Sequence, residues 1–497
     1  MRLPALDTRV FCALQNRVFL CLAGHRTGAL PCGHSLLPEN NMTVATLRRP
    51  ATGGPCVPKL TSGRFNTWRV AMVLLTQLIF LGAPWLRWDG HQAIWLDLEG
   101  QRIFLFAWCF WPQDLVYLAG ALIICALGLF WWTALAGRLW CGNSCPQTVY
   151  TEIMLWIEHW IEGDRPARLK LRADPYKPAH LARRAASQAV MIAVSLVIGF
   201  GLVAYFVPAP ELLASVLDGS MGGWTLFWVL SYAGFTYLLA GRLREQVCLH
   251  MCPYARFQSV MFDSHTLLVG YDAKRGEPRG ARRQQHTANP RGDCVDCGVC
   301  VQVCPTGIDI RNGLQYECIG CGACIDACDT VMDKLRAPRG LIRMTTPHAE
   351  ASGQPARVSW LRPRPLIYLG LIAATALAMA VGLWQRAPLH VNVLRDRAVM
   401  VRETPEGLLE NAYQIKVFNA DSRPHVLQLS AEGLPGARVL TEPAQLLLPA
   451  HGQLQLLARV QAAPDNVQHG AQVLHLNVRS RDDASFQRQE DTVFIGE

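Results

Sequence analysis

The chain has 497 residues, 51% hydrophobic and 17% charged, with a formal net charge of +9. Soluble domains carry ~25% charged residues, so this balance excludes a disordered chain and argues against an ordinary cytosolic globule. Its length allows roughly three domains of ~150 residues, and its 18 cysteines are too many for packing and wrongly spaced for a secreted disulfide framework; a membrane protein with metal-binding or redox thiols is implied.

At the start, Cys12, Cys21 and Cys32 are scattered, and the apolar piece 18–23 is too short to span a bilayer. No small-residue cleavage site follows a proper apolar region, so a signal peptide is not expected. Residues 1–63 read as a disordered leader with Met42 as an alternative start, and neither those three thiols nor Cys56 is given a role. A helix crosses ~30 Å of hydrocarbon with about 20 mostly apolar residues. Residues 68–86, 115–136, 188–207, 224–240 and 366–384 fit such spans. Basic residues mark the cytoplasmic side. Arg48, Arg49, Lys59, Arg64 and Arg69 precede the first span or lie in its first turn, and a run from Arg138 to Arg184 separates the second from the third. No Lys or Arg lies between the third and fourth, and basic residues dominate again after the fourth. The N-terminus is therefore expected inside and the C-terminus outside. The basic excess is an orientation signal, and nucleic acid is set aside as a partner.

Leu135-Ala-Gly-Arg-Leu139 closes the second span and recurs as Leu239-Ala-Gly-Arg-Leu243 at the end of the fourth. Each copy precedes a Cys-x3-Cys-Pro: Cys141, Cys145 and Pro146, then Cys248, Cys252 and Pro253. This predicts a duplicated two-helix unit in a five-span bundle, with four sulfurs on one face. Proline disfavours helical dihedrals in the residue before it and suits the first position of a helix. Helices are therefore expected from Pro146 to about residue 161 and from Pro253 to about 262. Cys145 and Cys252 would then sit at N-caps, where the helix dipole favours thiolate. Soft sulfur ligands suit Cu(I), zinc or an iron–sulfur cluster. His250 and Met251 carry little weight as extra ligands, His159 and His265 read as ordinary, and Cys109 and Cys125 read as apolar fillers.

Between the fourth and fifth spans the chain runs Cys294-x2-Cys297-x2-Cys300-x3-Cys304-Pro305, then Cys318-x2-Cys321-x2-Cys324-x3-Cys328. In such runs three thiolates wrap one cubane and the fourth reaches the other cluster. Cys294, Cys297, Cys300 and Cys328 are expected to hold one [4Fe–4S] cluster, and Cys318, Cys321, Cys324 and Cys304 the second. Gly298, Gly320 and Gly322 would let the backbone pass close to them. Zinc knuckles need four ligands, typically two from each knuckle, which does not explain this pattern. Asp329 stands where such runs usually carry proline, and a changed local turn is expected there. From about residue 388 the period becomes two: Tyr413, Ile415 and Val417; Leu427 and Leu429; Leu454 and Leu456; Leu474, Leu476 and Val478. Short strands split by turn residues predict an immunoglobulin-like all-β sandwich.

The expected architecture is multi-domain. A four-span membrane domain occupies 64–270, a ferredoxin-like α+β insert with two clusters 271–345, a linker and fifth span 346–387, and the sandwich 388–497. Trp140-Cys-Gly-Asn-Ser-Cys-Pro-Gln-Thr-Val-Tyr-Thr-Glu152, Arg244-Glu-Gln-Val-Cys-Leu-His-Met-Cys-Pro-Tyr-Ala-Arg-Phe-Gln258, Gly292-Asp-Cys-Val-Asp-Cys, Cys304-Pro-Thr-Gly-Ile-Asp-Ile310 and Pro338-Arg-Gly-Leu-Ile-Arg343 resemble the CcoG (FixG/RdxA) family of cytochrome c oxidase accessory proteins, from about Arg64 to the end. Within that resemblance Gly142, Asn143 and Ser144 look like a variable interior. It implies a bacterial inner-membrane assembly factor for the cbb3-type oxidase that reduces Cu(II) to Cu(I), with copper at Cys141, Cys145, Cys248 and Cys252, clusters in the cytoplasm and the sandwich in the periplasm. Implied partners are the oxidase assembly machinery, a copper chaperone or copper-exporting ATPase, a cytoplasmic electron donor and lipid, and a homo-oligomer stays open. The alternatives are a quinol-linked electron-transfer protein, whose membrane cysteines relay electrons or hold a third cluster, and a non-enzymatic assembly scaffold.

Overall fold

The structure, a computed structural model, describes residues 56–280, 292–396 and 401–496. The readings of Cys12, Cys21, Cys32 and Met42 lie outside them. Among the described residues five helices are long and apolar enough to cross a membrane: Arg64–Trp85, Pro112–Ala136, Pro178–Val203, Gly223–Leu243 and Pro363–Trp384. Their regular parts are α1 (Arg64–Gly82), α2 (Leu115–Ala136), α6 (Pro178–Val203), α7 (Gly223–Thr236) and α11 (Pro363–Trp384). The third begins ten residues before its expected start at 188. Pro178 occupies the first helical turn, and polar turns carrying Arg183 and Arg184 extend the helix beyond the apolar layer that hydropathy detects. Helix α6 packs on α1 and α7, and α11 on α2. Small residues allow the close approach: a Cβ at Gly199 would lie 2.6 Å from the Val229 carbonyl oxygen, and one at Gly120 would lie 2.6 Å from Met379 Sδ.

The two copies of the Leu-Ala-Gly-Arg-Leu repeat differ in backbone. The first ends its helix at Gly137, whose φ of 54° is in the left-handed region, and a short α3 (Leu139–Asn143) follows. The second continues as π-helix over Tyr237–Leu243, turns at Arg244 and forms another π segment at Val247–Met251. The prolines open α4 (Pro146–Glu162) and α8 (Pro253–Met261), within a residue of the expected ends. Between them α5 (Arg165–Ala173) returns the chain to α6.

Residues between α1 and α2, read only for their charges, form an antiparallel sheet of β1 (Ile94–Asp97), β2 (Arg102–Leu105) and β3 (Trp108–Phe110). At the opposite end lies the cysteine-rich insert. Its β4 (Leu268–Tyr271) and β5 (Ile342–Thr345) pair antiparallel and enclose α9 (Val299–Val303) and α10 (Ala323–Lys334). Asp329 falls inside α10 rather than at a turn, and its carboxylate accepts the Gly340 N–H at 3.0 Å. Residues 56–63, expected in a disordered leader, instead pack here. The Lys59 N–H donates to the Gln302 carbonyl at 2.8 Å, and Arg165 Nε donates to the Val57 carbonyl at 2.9 Å.

The C-terminal sandwich has two antiparallel sheets. One orders β9 (Arg438–Glu442), β11 (Gln453–Ala462), β7 (Leu409–Asn419) and β6 (Leu389–Arg395), with Arg402–Glu403 pairing the start of β7. The other orders β10 (Leu446–Leu448), β8 (His425–Glu432), β12 (Gly470–Ser480) and β13 (Gln487–Gly496). Tyr413, Ile415, Val417, Leu456, Leu474, Leu476 and Val478 are buried between them, while Leu429 and Leu454 are half-buried. The two-residue alternation thus faces one shared core, as period-two strands require.

Candidate functional site

The two cysteine runs adopt matching local structures. Gly298 and Gly322 stand at the N-caps of α9 and α10 in the left-handed region, at φ 64° and 74°, and Cys300 and Cys324 occupy the second helical position after each. Gly298 is needed for this dihedral alone, since a Cβ there would meet nothing within 4 Å. Gly320, at φ 70°, also makes a close approach: its Cβ would lie 3.2 Å from the Arg138 carbonyl carbon. Cys304, Cys318, Cys321 and Cys324 line one partly open pocket together with Cys300, Ile308, Ile310 and Ile319. Cys328 lies one helical turn beyond Cys324, and the thiols whose charge it feels most are Cys300, Cys294 and Cys297. The eight cysteines thus lie in one region, with Cys300 both lining the pocket of Cys304, Cys318, Cys321 and Cys324 and felt at Cys328. Cys297 is exposed, whereas Cys294, Cys300 and Cys321 are buried.

Burial pushes these thiols up: Cys300 to about 11, and Cys318 and Cys328 to about 12. Without a cation they stay protonated at neutral pH, and a bound metal group displaces those protons because thiolate is the ligating form. Eight soft donors, left-handed glycines and a cysteine-lined pocket fit two [4Fe–4S] groups.

The membrane-face pairs lie at the same end. Cys145 caps α4 and Cys252 caps α8, both with extended backbone and proline next. The expected thiolate preference at the caps is overturned at Cys145. Backbone N–H groups of Gln147 and Thr148 favour its charged form, but burial outweighs them and the thiol is pushed up. Burial likewise takes Cys141 to about 12 and Cys248 to about 11. The Cys141 thiol donates to Gln258 Oε1 at 3.3 Å. Charge on Cys145 is felt at Cys141 and Cys248, and charge on Cys252 at Cys145 and Cys248. The structure thus makes the four one neighbourhood. Among the described residues, however, no three His, Cys, Asp or Glu side chains converge as a single-ion site. Met251 is exposed. Cys109 is buried as the filler it was expected to be, but Cys125 lies on an exposed helix face. The His265 ring lies against that of His348, tilted by 42° with centroids 4.6 Å apart, and His159 meets Asp164 at 3.3 Å.

Three contributors were missed by sequence reasoning. Gly142, between Cys141 and Cys145, meets the second cysteine set directly. A Cβ there would lie 2.8 Å from Cys321 N, Cys321 Cα and the Ile319 carbonyl oxygen, so this position is no variable interior. Arg138, seen only as part of a repeat, is buried, and its charge is felt at Cys141, Cys248, Cys252 and Cys318. Cys56 places its sulfur 3.5 Å from the Cys304 carbonyl oxygen and shares a cavity of about 510 Å³ with Cys248, Glu245 and Glu152. Only Gly142 and Arg138 left a sequence signal, as a glycine between paired thiols and a repeated arginine. The insert is also pinned to the spans: Asp326 on α10 accepts the Phe65 and Asn66 N–H groups at 3.2 and 2.8 Å, at the start of α1.

Comparison with known proteins agrees with this arrangement. The family described as "4Fe-4S binding domain" matches residues 118–166, which include Cys141 and Cys145. The "4Fe-4S dicluster domain" family matches 243–347, and the "IG-like fold at C-terminal of FixG" matches 379–497. The nitrogen fixation protein FixG of Rhizobium meliloti is 38% identical over 76% of this chain and 79% of its own. Proteins RdxB and RdxA of Cereibacter sphaeroides are 36% and 38% identical, covering 89% and 77% of this chain and 96% and 83% of theirs. With relatives at 36–38% identity over three quarters or more of the chain, and the FixG C-terminal fold over residues 379–497, the chain belongs to the FixG family, alongside RdxA and RdxB.

Proposed function

We propose that this iron–sulfur oxidoreductase delivers single electrons to copper at the membrane face, reducing Cu(II) to Cu(I) for a cbb3-type cytochrome c oxidase under assembly. The carrying observation is the contact of Gly142 with the Cys321 backbone, which joins the second cysteine set to the loop holding Cys141 and Cys145 without an intervening side chain. Cys294, Cys297, Cys300 and Cys328 hold one [4Fe–4S] group, and Cys304, Cys318, Cys321 and Cys324 the other. When bound, these groups supply one-electron storage and relay from a low-potential cytoplasmic donor. Cys141, Cys145, Cys248 and Cys252 take the substrate ion, losing thiol protons as sulfur binds it. Cu(II) prefers nitrogen and oxygen ligands, while thiolate stabilises Cu(I), so ligation and electron supply drive Cu(II) + e⁻ → Cu(I) together.

In this reading the paired motifs derive from a duplicated two-helix unit. The cysteine sets face the cytoplasm of a bacterial inner membrane, and the sandwich faces the periplasm, where it docks the assembly machinery. Cu(I) passes to a copper chaperone or exporting ATPase. The test replaces Cys141 and Cys248 by Ser in anaerobically purified protein. Cu(II) reduction should fall at least tenfold while the cluster spectrum persists, and unchanged turnover removes copper from these thiols. A second reading has its own support, because the match of residues 118–166 to a 4Fe-4S binding family favours a third cluster on the membrane pairs. Iron and sulfide counting separates the two: about eight irons per chain agrees with copper there and about twelve with a third cluster, at four irons each.

A further inference from the structure

The two cysteine sets sit in unlike electrostatic surroundings. Around the first, Arg311 is neutralised twice, by Asp309 at 2.7 Å and Asp296 at 2.5 Å. At Cys300 the largest charge felt is still the positive Arg311, followed by the negative Asp309, while at Cys328 the largest from any residue other than cysteine is the negative Asp329. Around the second, Arg69 is neutralised by Glu152 at 3.2 Å, but Arg138 forms no ion pair among the described residues. Arg138 is buried, donates through Nη2 to the Ala255 carbonyl, and leaves Nε with no acceptor among the described residues. Its backbone lies against Gly320, between Cys318 and Cys321. At Cys318 no non-cysteine charge is felt more strongly than Arg138. The repeat does not duplicate this feature. The matching Arg242 turns away, donating to the Tyr237 hydroxyl at 2.9 Å with its guanidinium over that ring.

Accessibility alone would set the electron against the path. The first set reaches the surface at Cys297, while no cysteine of the second is exposed, Cys321 being buried and Cys304, Cys318 and Cys324 half-buried, and burial disfavours added negative charge. An electron entering at the exposed set would therefore have to climb to reach the unexposed one. A buried cation without a counter-ion reverses that order, because net charge and hydrogen bonds to sulfur set cluster potentials.

We propose that Arg138 is a positioning residue for electron flow, raising the reduction potential of the group held by Cys304, Cys318, Cys321 and Cys324 above that of the group held by Cys294, Cys297, Cys300 and Cys328. The exposed set then gives up one electron and the unexposed set takes one, and no bond forms or breaks. A low-potential one-electron donor protein supplies the electron at Cys297, and it leaves at Gly142. This inference rests on the two-cluster part of the reading above and is independent of copper.

The test is a potentiometric titration followed by electron paramagnetic resonance, on full-length protein in detergent with no copper added. Arg138→Gln should lower one potential and leave the other, so that at a fixed potential the reduced:oxidised ratio of that group falls about tenfold, 59 mV for one electron. Arg138→Lys, which keeps the charge, should recover most of the shift. Asp296→Asn, which tolerates the positive φ of 53° at that position, should raise the other potential. Two unmoved potentials in Arg138→Gln with both signals present overturn the proposal and leave the copper reading intact. Should Arg138→Gln lose its clusters, Asp296→Asn and Arg138→Lys decide: a potential unmoved in the first, or lowered by about 59 mV in the second although the charge is kept, overturns it. A wild-type protein without cluster signals removes the underlying reading instead.

Discussion

Gly142 is the residue on which the two halves of the path meet. Its three nearest neighbours are backbone atoms of Cys321 and Ile319, each 2.8 Å from where a Cβ would sit, and backbone cannot swing aside as a side chain can. Gly142→Ala must therefore push the Cys141–Cys145 loop off the second cysteine set, with an overpacking cost of about 1–3 kcal/mol. The eight ligands lie outside the displaced loop, so iron content should stay at the wild-type level. Reoxidation of the dithionite-reduced protein by Cu(II) should slow. Stopped-flow recovery of the cluster absorbance with parallel iron analysis checks this, and a wild-type rate in the alanine variant would show that electrons leave elsewhere. Sequence could not supply this constraint, because it comes from a residue remote along the chain. The iron–sulfur character of the cysteine runs was legible, since their spacing is the geometry of short loops around a compact group, and the segment carrying them matches a 4Fe-4S dicluster family.

At the scale of elements, α4 is tied to α5 and to the turn after the fourth span through charges hydropathy ignores. Glu158, buried on α4, takes Arg168 at 3.2 Å and Arg244 through both carboxylate oxygens. Burial alone would raise its pKa, but the two guanidinium groups hold the carboxyl below its ordinary range. Glu158→Gln leaves two buried cations sharing no carboxylate, and breaking such a pair costs about 3–5 kcal/mol. Thermal unfolding in detergent at neutral pH should show a correspondingly lower midpoint. Because the folded pKa is depressed, the wild-type contribution is full above the unfolded value near ~4.3. It fades as pH falls through the folded value, so variant and wild type should converge in acid. Arg244, which closes this pair, directly follows the second repeat, where the helix widens into π turns. Such turns have no sequence pattern of their own, so the repeat predicted equal helices where the structure has unequal ones. The Cys-Pro caps were legible because proline acts on its immediate neighbour. The small sheet over 94–110 was not, because its three- and four-residue strands are too short to show a period.

Among the described residues, the twelve cysteines of the paired and clustered motifs lie at one end and the sandwich at the other, joined by α2 and α11. The seat of the sandwich is built from the unanticipated sheet. Phe104, Cys109 and Trp111 pack with Phe418 of β7, Trp111 Nε1 donates to the Asn419 carbonyl at 3.2 Å, and Arg102 donates to the His451 carbonyl at 2.6 Å. Arg386, just past α11, locks the seat by pairing with buried Asp114 at the head of α2 and donating to the Cys109 carbonyl at 2.6 Å. Arg386→Ala strands the Asp114 carboxylate in a buried site, again a loss of about 3–5 kcal/mol, and that loss falls where sandwich and spans meet. Limited proteolysis should then release a C-terminal fragment starting near residue 386 faster than from wild type. Cluster potentials and Cu(II) reduction in the same preparation should not change, because no cysteine of either set touches this end. A shifted potential in Arg386→Ala would mean that the sandwich reports its docked state through the bundle to the redox centre, making it a regulator of electron delivery rather than a tether.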